Sequence, residues 1–156
     1  MESVVANTKS NLLVVDPQTR TAVDALVSEF SYRIDHGQAD AVAELFMEDG
    51  VFDSPMMTLT GKSAIAVAMQ KRAKATYNTR HIVSNLRLQR GTEGKIRGTV
   101  MLTLYRWSAT DEDQTASPTA LVEYLDVYER GPDGEWLFAS RKAQPILPPA
   151  KQSQVK

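Results

Sequence analysis

The chain predicts an α+β domain, helices first and a mainly antiparallel sheet afterwards, on three observations. Apolar residues at Val23, Leu26, Val27, Phe30 and Ile34 recur at spacings of three and four, the period of a helix with one buried face. From Thr79 onward, strand-like runs replace that period. The turn signals Gly91-Thr92-Glu93-Gly94 and Gly131-Pro132-Asp133-Gly134 separate those runs as hairpin connections do.

Regular structure is expected from Thr19, with Gly37 stopping the first helix. Asp40 then caps a short second helix, Ala41 to Glu48, which buries Val42, Leu45 and Phe46. Val51-Phe52-Asp53 and Met57-Thr58-Leu59 read as short strands around Pro55, and Thr60 or Ser63 caps a third helix carrying Ile65, Met69 and Ala73 inward. The strands that follow are Thr79 to Arg90, Lys95 to Ser108, Pro118 to Arg130 and Glu135 to Ile146, with a polar loop from Ala109 to Ser117. Residues 1–18 are expected to be an N-terminal arm, 19–147 the single domain and 148–156 a flexible tail.

At 156 residues and 42% hydrophobic content, the chain suffices for one domain with its own core. Eighteen lysines and arginines against nineteen acids give no bias toward nucleic acid or an anionic membrane, so neither is an expected partner. There is no cysteine, which removes disulfides and thiolate chemistry, and two histidines 45 positions apart make a dedicated metal site unexpected. No signal-like leader and no membrane-length apolar run is evident, so a soluble cytoplasmic protein is the expectation.

Between Thr99 and Trp107, Val100, Leu102 and Leu104 line one face while Met101, Tyr105 and Trp107 lie on the other. Both faces call for cover. One would enclose a cavity over the helices and the other would pack on a second subunit, which predicts a homodimer or homotrimer.

The ordered set of two helices, Leu45-Phe46-Met47-Glu48-Asp49, a helix after Gly61, Arg80-His81-Ile82-Val83-Ser84-Asn85 and a final Asp133-Gly134-Glu135-Trp136 turn resembles the SnoaL-like families of the nuclear-transport-factor-2-like superfamily. The resemblance covers roughly residues 19–147. It implies a cone-shaped fold, in which a strongly curved sheet wraps helices around a deep pocket. In relatives such as scytalone dehydratase and bile-acid 7α-dehydratase, a strand histidine is oriented by an aspartate of the first helix; by position the pair here is His81 and Asp35. Several of those dehydratases carry a tyrosine five positions before the aspartate. Here that position is Phe30, and Tyr32 lies three before.

A strand histidine is more often packed than catalytic, and a polar residue before a helix stop is more often solvated. The resemblance shifts both readings toward a base and its orienting carboxylate. Simple alternation puts His81, Val83 and Asn85 on one face: a base, an apolar wall and an amide donor. Tyr32 and Tyr124 are the candidate proton donors, and Phe30, Asn85, Tyr105, Tyr128 and Arg141 the candidate substrate contacts. Lys71, Arg72, Lys74 and Arg80 read as a solvated helix face and its continuation. The expected function is a cofactor-independent lyase of dehydratase type on a small, largely apolar, cyclic or aromatic molecule. The alternatives are an isomerase, an aldol cyclase or a carbon-carbon lyase on the same pair, or a noncatalytic subunit resembling the small subunit of ring-hydroxylating dioxygenases.

Overall fold

The computed structural model describes residues 15–108, 110 and 117–147. The expected arm, apart from its last four residues, the tail after 147 and most of the polar loop lie outside them.

Helix α1 spans Pro17–Asp35 and starts two residues earlier than the apolar period suggests. Asp16 is the reason: its carboxylate accepts the Thr19 amide at 2.9 Å, and Pro17, whose missing N–H costs nothing in a first turn, follows it. Gly37, at φ +76°, turns the chain away as expected. The expected second α-helix is instead a 3-10 helix over Ala39–Leu45, because Phe46 has already entered a strand. Strands β1 (Phe46–Ser54) and β2 (Met57–Thr60) form a hairpin, and helix α2 covers Lys62–Ala73 behind Gly61. Then come β3 (Tyr77–Arg90), β4 (Ile96–Ser108), β5 (Ala120–Arg130) and β6 (Trp136–Leu147).

These strands make one curved six-stranded sheet in the order β2-β1-β6-β5-β4-β3. Only the β1–β6 pairing is parallel. Helix α1 lies across the inner face, its Val23, Val27 and Phe30 buried against Val100, Tyr124 and Phe138 of the sheet. Phe30 is the hub, with the rings of Phe46, Phe52, Tyr124 and Phe138 at 5.7 to 6.3 Å between centroids. Burying such rings against one another stabilises by about 2 to 3 kcal/mol each.

Strand β3 carries one irregularity that matters for the site. Ser84 pairs with Met101 and Arg87 with Thr99, so Asn85 and Leu86 together face the single residue Val100. Asn85 takes φ +55°, a left-handed conformation that asparagine tolerates better than most residues. Before this bulge Thr79, His81 and Val83 point inward; after it Leu86 and Leu88 do.

Candidate active site

Asp35 ends α1, and β3 passes directly beside that end. The His81 imidazole meets the carboxylate through Nδ1 at 2.6 Å from Oδ1, and the His81 backbone N–H donates to Oδ2 at 2.7 Å. Thr79 donates its hydroxyl proton to Oδ1 at 2.8 Å. Both partners are enclosed, with 5% of the Asp35 side chain and 10% of the His81 side chain exposed. Arg80 donates to the main-chain oxygen of Asp35 at 3.0 Å, satisfying a carbonyl that the helix end leaves free.

Burial alone would raise the Asp35 carboxyl. The bonds from the His81 ring and backbone, with that from Thr79, outweigh it and hold the group below its ordinary value of 3.8. Asp35 is therefore a carboxylate at neutral pH and can only accept. Nδ1 must carry a proton to bond it, so the neutral imidazole keeps Nε2 free to take one.

Tyr124 lies on the same inner face, buried against Phe30, and its hydroxyl makes no hydrogen bond among the described residues. Burial chiefly, opposed by Arg141 and reinforced by Asp126 and Asp35, pushes its phenol up to about 12. It stays a neutral donor at any physiological pH.

Deeper in the cone, Arg141 bonds Asp126 with two prongs, Nε to Oδ1 at 2.9 Å and Nη2 to Oδ2 at 2.7 Å, and Tyr128 adds its hydroxyl to Oδ2 at 2.7 Å. Both charged side chains are wholly buried. The guanidinium lies 4.1 to 4.4 Å from the ring centroids of Tyr124, Phe138 and Phe30, and Nη1 has no hydrogen-bond partner among the described residues. Gly98 makes room for this cluster: a β-carbon there would come within 2.8 Å of the Tyr128 ring.

The other expected contacts fall elsewhere. Asn85 is exposed, because the bulge removes it from the His81 face and lets Leu86 turn inward, correcting the simple alternation. Tyr105 pairs with Arg80, whereas His81 pairs with Leu104, so Tyr105 belongs to the outer face. Tyr32 is half exposed and stacks on His36 at 4.1 Å, on the solvent side of α1. Tyr128 and Arg141 are committed to Asp126, and Phe30 to the aromatic hub. Arg72 is also not simply solvated: it bonds Thr79 at 2.8 Å and lies over the Tyr77 ring at 4.6 Å.

Thr79 and Asp126 are not among the residues expected at the site, and Arg141 is expected there as a substrate contact rather than as the partner of Asp126. Their signals were present: Thr79 shares a strand face with His81, and Asp126 sits between two tyrosines on an otherwise apolar stripe. The described residues hold no group of three His, Asp or Glu side chains arranged as metal ligands, and no helix among them is long and apolar enough to cross a membrane.

A curved sheet wrapped over a first helix, with a helix-end aspartate on a strand histidine, defines a small cone-type α+β protein. A SnoaL-like domain model matches residues 17–142, and the chain belongs to that family. Among solved structures it is similar to ActVI-ORFA of Streptomyces coelicolor, at 20% identity and TM-score 0.73, over 83% of this chain and 98% of that one. A provisionally assigned scytalone dehydratase of Novosphingobium aromaticivorans matches at 19% identity and TM-score 0.71, over 83% and 85% of the two chains. The beta subunit of a provisionally assigned aromatic-ring-hydroxylating dioxygenase from the same organism matches at 14% and 0.73, over 84% and 91%. At these identities the likeness is one of fold. Comparison with curated protein sequences gave no match.

Proposed function

We propose that the chain is a cofactor-independent lyase of dehydratase type, with His81 as general base and Asp35 as its orienting partner. The observation that carries this reading is the 2.6 Å bond between His81 Nδ1 and Asp35 Oδ1 inside the domain, which leaves Nε2 as the basic atom. A small, largely apolar, cyclic or aromatic substrate suits the apolar character of the inner sheet face around the pair, to which Val83, Leu104 and Tyr124 contribute. Nε2 takes a proton from carbon, the C–H electron pair becomes the new double bond, and the neighbouring C–O bond breaks. The departing oxygen takes a proton from a neutral donor, for which Tyr124 is the best-placed phenol, and leaves as water. The imidazolium, stabilised by Asp35, then gives up its proton and the tyrosinate left on Tyr124 gains one, which restores both groups for the next turnover. The same base would serve an isomerase, an aldol cyclase or a carbon-carbon lyase, depending on what stands next to the abstracted proton.

The test is turnover of cyclic β-hydroxy ketones and related enolisable compounds in deuterated water, read as elimination and as deuterium entering at carbon. His81→Gln should lower turnover by about a hundred to ten thousand fold in a folded protein. Asp35→Asn should be milder and spare binding, and Tyr124→Phe should lower kcat more than it raises KM. Near-normal turnover in folded His81→Gln would sink the base reading. A different catalytic set would then be the better account, whereas a wild type that turns over none of these compounds would point to a noncatalytic assembly subunit, which the outer sheet face favours, where Ile82 is 54% and Leu147 57% exposed.

A further inference from the structure

The Thr79 hydroxyl sits between two charged groups, 2.8 Å from Arg72 Nη2 and 2.8 Å from Asp35 Oδ1. A guanidinium has no lone pair to offer, so the Thr79 oxygen must accept from Arg72, and its one proton must go to the carboxylate. The direction of this hydroxyl is chemically forced. Thr79 is itself buried, on the inner face of β3 two residues before His81. Arg72 comes from the last turn of α2, an element with no other bond to the dyad, and Tyr77 supports it from below. With Thr79 in place, Oδ1 accepts from Thr79 and His81 and Oδ2 from the His81 backbone, so the carboxylate plane is held at three points.

We propose that Thr79, oriented by Arg72, is a positioning residue for the Asp35–His81 pair: it keeps Asp35 ionised and fixes the plane against which the imidazole is aligned. This rests on the base reading above. It adds to that reading a relay from α2 to β3 to α1, in which every proton points toward the carboxylate. The other groups around the pair are Arg80 and Tyr77 on β3, Arg106 on β4, whose guanidinium lies 3.7 Å from the Tyr77 ring centroid, and Tyr124 on β5, which is electrostatically linked to Asp35. All of them remain in the variants that test the proposal, so their effects cancel.

The experiment is a carbon-13 NMR titration of the Asp35 side-chain carboxyl in the full chain, which needs no substrate. Thr79→Val keeps the shape and removes the proton, so the Asp35 midpoint should rise toward its ordinary value by roughly a few tenths of a pH unit or more. Arg72→Met should raise it in the same direction, and Thr79→Ser should leave it where it was. With a turned-over substrate, Thr79→Val should lower kcat with little change in KM and Thr79→Ser should restore it. An unmoved midpoint in both Thr79→Val and Arg72→Met overturns the proposal, as does a Thr79→Ser midpoint displaced as far as that of Thr79→Val. If Thr79→Val does not fold, Thr79→Ala, which likewise lacks the hydroxyl and keeps the Arg72 charge, decides in its place. Because the titration is independent of turnover, it can succeed where the His81→Gln test fails, and the two readings fall separately.

Discussion

Arg141 lies directly across the β5–β6 ladder from Asp126, and the two side chains are joined by a pair of bonds of 2.9 and 2.7 Å at zero exposure. Two opposite charges taken fully out of water recover their desolvation only through such geometry, and the rings over the guanidinium help exclude any competitor. The pair organises the buried interior where β5 and β6 meet.

Arg141→Met should therefore destabilise the fold by about 3 to 5 kcal/mol, because it strands the Asp126 carboxylate among aromatic rings. Replacing both partners, Arg141→Met with Asp126→Leu, should recover much of the loss. Urea unfolding of the three proteins checks this; equal stability of wild type and Arg141→Met would contradict it.

Acid should weaken the protein partly through Asp35. Its folded-state value lies below its ordinary one, so its contribution is complete above the ordinary carboxylate value and is lost as pH falls through that value toward the folded one. Stability measured from pH 6 downward should fall more steeply in wild type than in Asp35→Asn. Parallel curves would mean that Asp35 does not take part in the acid limb.

Association should occur through the outer face of the sheet, where Ile82, Thr103, Leu121 and Leu147 form one row across β3, β4, β5 and β6. Sedimentation should find a dimer or trimer at micromolar concentration, and Ile82→Glu should shift it to monomer without unfolding it. A monomeric wild type would remove the expectation.

Exhaustive chelation should leave turnover intact, since the proposed steps use only side-chain protons. Loss of activity that returns with one particular metal ion would require a different mechanism.

Much of this was legible in the chain. The three-and-four spacing of α1 sets which side of it is buried, and the residue at its end fell beside the strand histidine as family likeness implied. What was misread turned on parity. Inward apolar positions on β3 change from odd, Val83, to even, Leu86 and Leu88; that switch is the trace of a bulge, and strict alternation misses it. The tyrosines were harder. Whether a ring faces the base or the solvent depends on strand pairing, and only the register of Arg80 with Tyr105 puts Tyr105 outside. The buried roles of Thr79 and Asp126 depend on partners 44 and 15 residues away, distances over which local pattern carries no information.

The bulge at Asn85 and Leu86 also bears on how the protein avoids aggregation. Strand β3 is one free border of the sheet and β2 the other. A long, flat border is a template on which foreign strands add, and β3 has the length for it at 14 residues. Along that border the His81 N–H is bonded to Asp35 and the Thr79 and Leu86 carbonyls accept from Arg80 and Arg20, and the left-handed Asn85 divides the strand into two short, differently angled stretches, while β2 offers only four residues. Neither border invites open-ended strand addition, which leaves the sheet's broad outer face as the safer place for copies of this chain to meet.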